Sequence, residues 1–308
     1  MIKAAIDIGT NTVLLLITDV KKGLLNVKFE EHRVPRLGKE VDSTGNLSKQ
    51  SIERVVGVLH EYETIVHQFG IDKPLVTATS AVRDAKNKSD FLNRVREETG
   101  WEIRILSGQD EATCTYLGAL SVLETQKDTL HLVMDIGGGS TEFALGLNNN
   151  LHQVVSLDMG CVRFTERFLK NDPPKQEEIK HCEKSILSEF EKLSAIRQEI
   201  SGKEVRFIAV AGTATTIAFM ELDLKEFDSE MINGFIVTPK IINKWIDICS
   251  SATKNELISG WPLVMEGRAD IFLSGLLIFK TFLKYFDIEK VEISTGGIRH
   301  GAILHYLK

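Results

Sequence analysis

The stretch VMDIGGGSTEFALG, residues 133–146, runs from an apolar, β-branched segment into an aspartate, crosses three consecutive glycines, turns polar and becomes apolar again. Asp135 closes the first apolar run and Thr141 opens the next, so the pattern predicts a strand, a tight turn and a second strand. Glycines at a strand end let the backbone take positive φ and bring successive N–H groups to a ligand with no Cβ in the way. A near copy, AAIDIGTNTVLLLI at residues 4–17, opens the chain. The two aspartates are 128 positions apart (135 − 7), longer than any solenoid period, which points to two duplicated α/β halves.

The flanking sequence fits that plan. Residues 2–35 read as a meander of strands with a hairpin through Gly9–Thr12, and Ile52, Val55, Val56, Leu59, Tyr62, Val66 and Phe69 recur at helical spacing over residues 50–69. PLVTATSAVRDA reads as a strand running into a turn, SDFLNRVREETG as a helix closed by Gly100, WEIRIL as a strand and SGQDEATCTYLGALSVL as a helix. From residue 130 the order restarts with strand, glycine turn and strand, then a helix over 175–200. VRFIAVAGTATTIAF reads as one more strand entering a glycine turn. The expected domains are residues 1–120 and 121–308, with no flexible linker between them.

A chain of 308 residues with 43% hydrophobic residues can bury a core in each half. Its formal charge of −6 gives no general attraction to nucleic acid or an acidic membrane, so a polyanion would need a local cluster of Arg and Lys. Cys114, Cys161, Cys182 and Cys249 lack CxxC spacing, which argues against zinc and against a disulfide framework and favours a reducing cytoplasm. The N-terminus shows no basic-then-apolar signal pattern. VLLLI and IFLSGLLIF fall short of the roughly 20 residues a membrane span needs.

In each turn the strand-end aspartate, Asp7 or Asp135, is placed to hold a hydrated Mg2+ against phosphate oxygens. Thr10, Asn11 and Thr12 supply donors in one copy, and Gly137, Gly138, Gly139, Ser140 and Thr141 in the other. A lone Asp-x-Gly turn is only a hairpin signal; two matching copies favour phosphate. Neither has the Lys of a P-loop or the GxGxxG spacing of a dinucleotide fold. Asp135 and Glu142 lie across one hairpin, so both can face the same side. Glu111 falls in the first turn of a helix capped by Ser107, where the macrodipole favours an ionised carboxylate able to orient or deprotonate water; Asp110 reads as part of the cap.

Gly212 with Thr213 and Gly296 with Gly297 either line a channel or allow close packing, the second being favoured. Arg163, Arg268 and Arg299 are candidate polyanion contacts, with a structural ion pair an equal reading for Arg268. His300 is either a pH-sensitive contact or simply exposed.

A duplicated strand-Asp-Gly-turn-strand resembles the actin, Hsp70 and sugar kinase superfamily, in which two ribonuclease H-like α/β domains grip phosphates across a cleft. DIGTNTVLLLI, RLGKEVDSTGNLS, TSAVRDA, ILSGQDEATCTYLG, DIGGGSTEF, SLDMGCVRFTE, AGTATTIA, GRADIFLSG and STGGIRHG stand in the order of one branch. That branch is the exopolyphosphatase and guanosine pentaphosphate phosphohydrolase (Ppx/GppA) family. The resemblance implies Mg2+-dependent hydrolysis of a terminal phosphate from inorganic polyphosphate or guanosine pentaphosphate. It makes Glu111 the catalytic glutamate and Arg83 a phosphate contact, in a homodimer; the hairpin spacing of Asp135 and Glu142 lets that pair share the metal or a second water. Longer members carry a C-terminal helical extension; the chain here stops at Lys308, from which a preference for shorter polyphosphate is expected. Alternative readings are a non-catalytic sensor of polyphosphate or guanosine tetra- or pentaphosphate, and an acceptor-dependent kinase of the same superfamily.

Overall fold

The apolar runs of residues 2–33 form an antiparallel meander of β1 (Ile2–Ile8), β2 (Val13–Lys21) and β3 (Leu24–Arg33). The computed structural model describes residues 1–124 and 128–307. β1 is buried from Ala4 to Ile8, as a central strand with apolar residues at successive positions must be. β3 lies at the sheet edge and carries exposed Asn26, Lys28 and His32, which discourage pairing with another chain. After α1 (Val41–Thr44), α2 (Lys49–Gln68) starts where the Ser48 hydroxyl accepts from the Ser51 amide at 3.1 Å. It lays Ile52, Val55, Val56, Leu59, Tyr62 and Val66 into the core of this sheet.

β4 (Leu75–Ala78) joins β1 in parallel and leads into α3 (Ser80–Asp84) and α4 (Lys88–Thr99), which ends at Gly100 with φ 69°. β5 (Ile103–Ile105) runs parallel to β4 and precedes α5 (Gly108–Ser121). TSAVRDA was expected as a turn. Its Ala, Val and Arg form the single helical turn of α3, because Val82 and Arg83 donate back to the Thr79 carbonyl.

The second unit restarts with β6 (Leu130–Ile136), β7 (Thr141–Leu147) and β8 (Asn150–Leu157). Then follow α6 (Cys161–Phe168), α7 (Gln176–Phe190), a short 3-10 turn and α8 (Ser194–Ile200). β9 (Val205–Val210), α9 (Ala211–Glu221), α10 (Ser229–Ile232) and β10 (Ile236–Val237) come next. α11 (Pro239–Ser251), α12 (Lys254–Gly260), α13 (Pro262–Met265), α14 (Phe272–Phe286) and β11 (Val291–Ile293) complete it. Its core gathers on α14, where Phe282 meets Phe143, Phe207, Phe279 and Phe286.

The sheets have the orders β3-β2-β1-β4-β5 and β10-β11-β9-β6-β7-β8. Read from the outer meander strand inward, both give three antiparallel strands followed by two parallel ones, with β10 added at the edge of the second. The duplication extends to detail: the meanders are bulged at Ile17/Thr18 and at Leu145/Gly146, positions separated by the same 128 residues (145 − 17) as the two aspartates.

Two expectations are corrected. VRFIAVAGTATTIAF has no glycine turn: β9 passes directly into α9, and the residue with positive φ is Ala211 (65°) rather than Gly212. The second domain does not run to the C-terminus, because residues 296–308, including α15 (Ile298–Tyr306), cluster with Met1–Ser121 while the second unit spans Val122–Thr295. The physical cause is a seam between α5 and α15 that admits no side chain. A Cβ on Gly118 would lie 2.0 Å from the Gly297 carbonyl oxygen, and one on Gly301 would lie 1.7 Å from that of Cys114. Arg299 fixes the helix further by donating to the Leu15 carbonyl at 2.6 Å and pairing with Glu30 at 3.1 Å.

All four cysteines are free and buried. Burial pushes the thiols of Cys114, Cys182 and Cys249 up to about 12 and that of Cys161 up to about 11, so none is a ready nucleophile.

Two glycine-to-alanine changes should separate packing from propensity in urea unfolding. Gly301→Ala is expected to lower stability by about 3 kcal/mol, since the helices must move apart. Exposed Gly57 in α2 meets nothing within 4 Å, and Gly57→Ala should raise stability by about 0.5–1 kcal/mol. Equal effects would refute the seam.

Candidate active site

In the first unit the site residues stand at the ends of β1, β4 and β5. The Gly9 amide donates to the Thr12 carbonyl at 2.9 Å and closes the hairpin, leaving Asp7 near the end of β1. Asp7 is buried, and its Oδ1 accepts from the Thr77 hydroxyl at 3.1 Å, which reaches across from the paired position on β4. The Thr10 and Ser80 hydroxyls are bonded at 3.2 Å, tying the hairpin to the start of α3. The start of the RLGKEVDSTGNLS block backs the turn, a role sequence reasoning did not give it: the Arg36 and Gly38 amides donate to the carbonyls of Asn11 (3.0 Å) and Thr10 (2.8 Å). Because a trans peptide points its C=O and N–H in opposite directions, the amides of Asn11 and Thr12 are turned to the other side. Gly38 is required there, as a Cβ would lie 2.3 Å from Thr10 Cγ2.

Arg83 and Glu111, predicted from separate motifs, come together. Arg83 Nη1 donates to Glu111 Oε2 at 2.8 Å and to the Leu106 carbonyl at 3.0 Å. Glu111 is 4% exposed, so its charge is held by this pair in a setting where water screens little. The expected cap of α5 is present: Asp110 N donates to Ser107 Oγ at 3.1 Å, and Ser107 Oγ donates to Asp110 Oδ2 at 2.7 Å. Glu111 therefore sits in the first turn, at the positive end of the helix.

The second unit repeats the hairpin. Gly137 N donates to the Ser140 carbonyl at 3.0 Å, and a Cβ at Gly137 would lie 2.9 Å from that oxygen. The start of α6 grips the turn from behind, with Cys161 N on Gly137 O (2.9 Å), Val162 N and Arg163 N on Gly138 O (2.9 and 3.1 Å), and Arg163 Nε on Gly139 O (2.7 Å). The amides of Gly138, Gly139 and Ser140 are consequently directed away from α6 and donate to nothing among the described residues. Three successive backbone donors turned to one side suit an oxyanion. Gly160 makes it possible: its Cβ would fall 2.4 Å from Gly138 C. Sequence reasoning had the block MGCVRF but not this role for its glycine. Thr141 faces inward, donating its hydroxyl to the Met159 carbonyl, so it braces the turn through its side chain.

Asp135 and Glu142 are directly opposite in the β6–β7 register and both are buried. Glu142 Oε1 accepts from the Ser156 hydroxyl at 2.7 Å. No cluster of three His, Cys, Asp or Glu side chains able to enclose a metal occurs among the described residues. A pair of hard carboxylates does suit Mg2+, which keeps several waters and takes one or two carboxylates alongside phosphate oxygens.

Other candidates have structural roles. Arg268 is half-exposed as a residue but aims its guanidinium inward, donating to the Gly212 carbonyl at 2.8 Å and to the Thr216 hydroxyl. It braces α9 rather than an anion, and burial lowers its pKa. Gly212 is small because that guanidinium would lie 2.8 Å from a Cβ. Arg299 serves α15. The packing reading holds for Gly212; a Cβ on Gly297 would meet nothing within 4 Å, and the glycine that the seam requires opposite its carbonyl is Gly118.

Comparison with known proteins adds the following. Residues 16–308 match the model of the Ppx/GppA phosphatase family. The chain is 33% identical over 317 aligned residues to a bifunctional 3-dehydroquinate synthase/phosphatase of Fusobacterium nucleatum, covering 98% of this chain but only 46% of that protein, so it spans about half of this relative's length. It is 29% identical to exopolyphosphatase 2 of Mycobacterium tuberculosis, covering 98% of this chain and 97% of the relative. The structure of an Aquifex aeolicus PPX-GPPA enzyme superposes with a TM-score of 0.81 at 32% identity, with 99% of each chain covered.

His300 is neither exposed nor a ready pH sensor. It is 1% exposed, its Nδ1 has no hydrogen-bond partner, and burial, with the Arg299 charge beside it, pulls its pKa down to about 3. The unfolded chain takes up this proton near 6.5, the folded chain only near 3. The unfolded state thus binds more protons between those values, and stability falls as pH drops through that window. Urea unfolding at pH 7.5, 6 and 5 should show a decline that His300→Gln makes shallower, by up to about 1.4 kcal/mol per pH unit. Parallel slopes for the two proteins would contradict this assignment.

Proposed function

We propose, because the chain belongs to the Ppx/GppA phosphatase family, that it is an exopolyphosphatase, releasing orthophosphate from the end of inorganic polyphosphate. The observation that carries this reading is the buried Glu111 carboxylate held by Arg83 at the N-terminus of α5. Relatives named exopolyphosphatase over nearly their whole length support it.

In this mechanism Glu111 accepts a proton from a water that attacks the terminal phosphorus. The bridging P–O bond breaks, orthophosphate leaves, and the shortened chain keeps the bridging oxygen. Arg83 has two tasks in sequence: it holds Glu111 in place, then shares its guanidinium with the incoming phosphate oxygens. The amides of Gly138, Gly139 and Ser140, already set in direction, receive phosphate oxygens with little reorganisation. Thr10, Asn11 and Thr12 form the matching cradle of the first unit. Asp135 and Glu142, the buried facing pair of the second unit, would hold Mg2+, which would supply positive charge against the oxygens of the polyanion; Asp7 stands at the equivalent position of the first unit.

Guanosine pentaphosphate as a second substrate, a homodimer and a cytoplasmic setting belong to the same proposal. Four buried, free cysteines support a reducing compartment, and no helix among the described residues is long and apolar enough to cross a membrane.

The deciding assay is orthophosphate release with Mg2+ from tripolyphosphate, long-chain polyphosphate, guanosine pentaphosphate and ATP in parallel. Release from polyphosphate is expected, and no release from any of the four would reject the reading. Glu111→Gln should lower turnover by about 10²–10⁴-fold with the fold intact by circular dichroism. A variant within a few-fold of the parent would remove Glu111 as the base.

A further inference from the structure

The two glycine turns share one shape and differ in what stands behind them. Behind Gly9–Thr12 the carbonyls of Thr10 and Asn11 are held by neutral backbone amides, those of Gly38 and Arg36. Behind Gly137–Ser140 stand the first amides of an eight-residue helix and a guanidinium. Each of the three peptides in that turn accepts at its carbonyl from α6 and presents its N–H on the opposite side. Positive potential at the back is thereby passed forward through the peptide dipoles.

The three peptides are not backed equally. The Gly137 carbonyl takes one amide and the Gly138 carbonyl takes two, all from the N-terminus of α6. The Gly139 carbonyl takes Arg163 Nε at 2.7 Å, a full cationic donor. A carbonyl that accepts from a cation loses electron density, and the N–H of the same peptide becomes a better donor in turn. The N–H concerned is that of Ser140.

The backing is also rigid. Ser274 on α14 donates to the Cys161 carbonyl at 2.6 Å, and the Thr165 and Ser274 hydroxyls are bonded at 2.8 Å, so α6 is anchored at its first turn. Gly160 lies directly against Gly138 and leaves the turn no room to slide. Arg163 is half-buried, with its backbone amide and its Nε engaged on adjacent carbonyls of the same turn.

We propose that Arg163 is a positioning residue: acting through the Gly139 carbonyl, it fixes and strengthens the Ser140 amide as a donor to a bound phosphoryl group. It replaces the sequence expectation of a direct polyanion contact with an indirect one. The inference rests on reading Gly137–Ser140 as a phosphate cradle, and its test separates the two.

Amide spectra of the ²H,¹⁵N-labelled protein, titrated with orthophosphate, are compared for the parent, Arg163→Ala and Leu277→Ala. Leu277 is fully buried in the core of the second unit and serves as a control for general loss of stability. Without phosphate, Arg163→Ala should move the Ser140 amide proton upfield while the Gly138 amide, backed by Cys161 N, stays in place. Orthophosphate should bind about tenfold more weakly, and ethylguanidinium should restore part of both the shift and the affinity. Leu277→Ala should show neither the selective shift nor the rescue.

Parental Ser140 shift and affinity in Arg163→Ala would overturn the inference. So would joint movement of Gly138 and Ser140 without rescue, which marks Arg163 as a mere brace. If the Gly138, Gly139 and Ser140 amides of the parent ignore orthophosphate, the cradle reading itself fails. If they respond, with the selective shift and rescue above, but no polyphosphate is hydrolysed, the exopolyphosphatase reading fails and the role of Arg163 stands.

Discussion

One hydrogen bond, made twice, sets the geometry on which the rest depends: a glycine amide donating to the carbonyl three residues on, Gly9 to Thr12 and Gly137 to Ser140. It closes each hairpin in the fewest residues, so the strand-end aspartates stay inside the sheets at Asp7 and Asp135. It also leaves the carbonyls between its two ends unpaired within the turn. Buried carbonyls need partners, and the protein supplies them from outside, from the 36–38 loop in one case and from α6 in the other. The direction of the amides between those ends is then no longer adjustable.

Much of this was legible in the sequence because it rests on local chemistry. The paired turns follow from Asp-Ile-Gly followed by hydroxyl residues, and the opposition of Asp135 and Glu142 follows from a hairpin of known length. The Ser107 cap and the first-turn Asp110 and Glu111 follow from local sequence alone. The rest depends on long-range packing, which leaves no local mark. Nothing near Arg83 announces a bond to Glu111 across 28 positions, and nothing near Gly160 announces that it rests on Gly138. His300 looked polar and therefore exposed, yet the tight α5–α15 seam carries it inside. Glycine was also misread once: at β9 the left-handed residue is Ala211, while Gly212 is small for the sake of Arg268.

The two halves have kept one topology and divided the chemistry. The first sheet carries the carboxylate–guanidinium pair and buttresses its aspartate with Thr77; the second carries the acidic pair and a glycine turn with charge behind it. Even the strand bulges coincide, while Leu14 stands opposite Asp7 where Glu142 stands opposite Asp135. Phosphoryl transfer asks for both a placed water and a neutralised polyanion.

The α5–α15 seam also has a consequence in time. A ribosome delivers the second unit, continuous from Val122 to Thr295, before it delivers residues 296–308 of the first. Until then α5 lacks the helix that covers Gly118 and Cys114, and Glu111 lies on an element missing its packing partner. Limited proteolysis of ribosome-stalled chains would read this as late protection of α5. Order of synthesis thus leaves Glu111 without the packing partner of its helix until the sheet that carries the Gly137–Ser140 turn has had the chance to form.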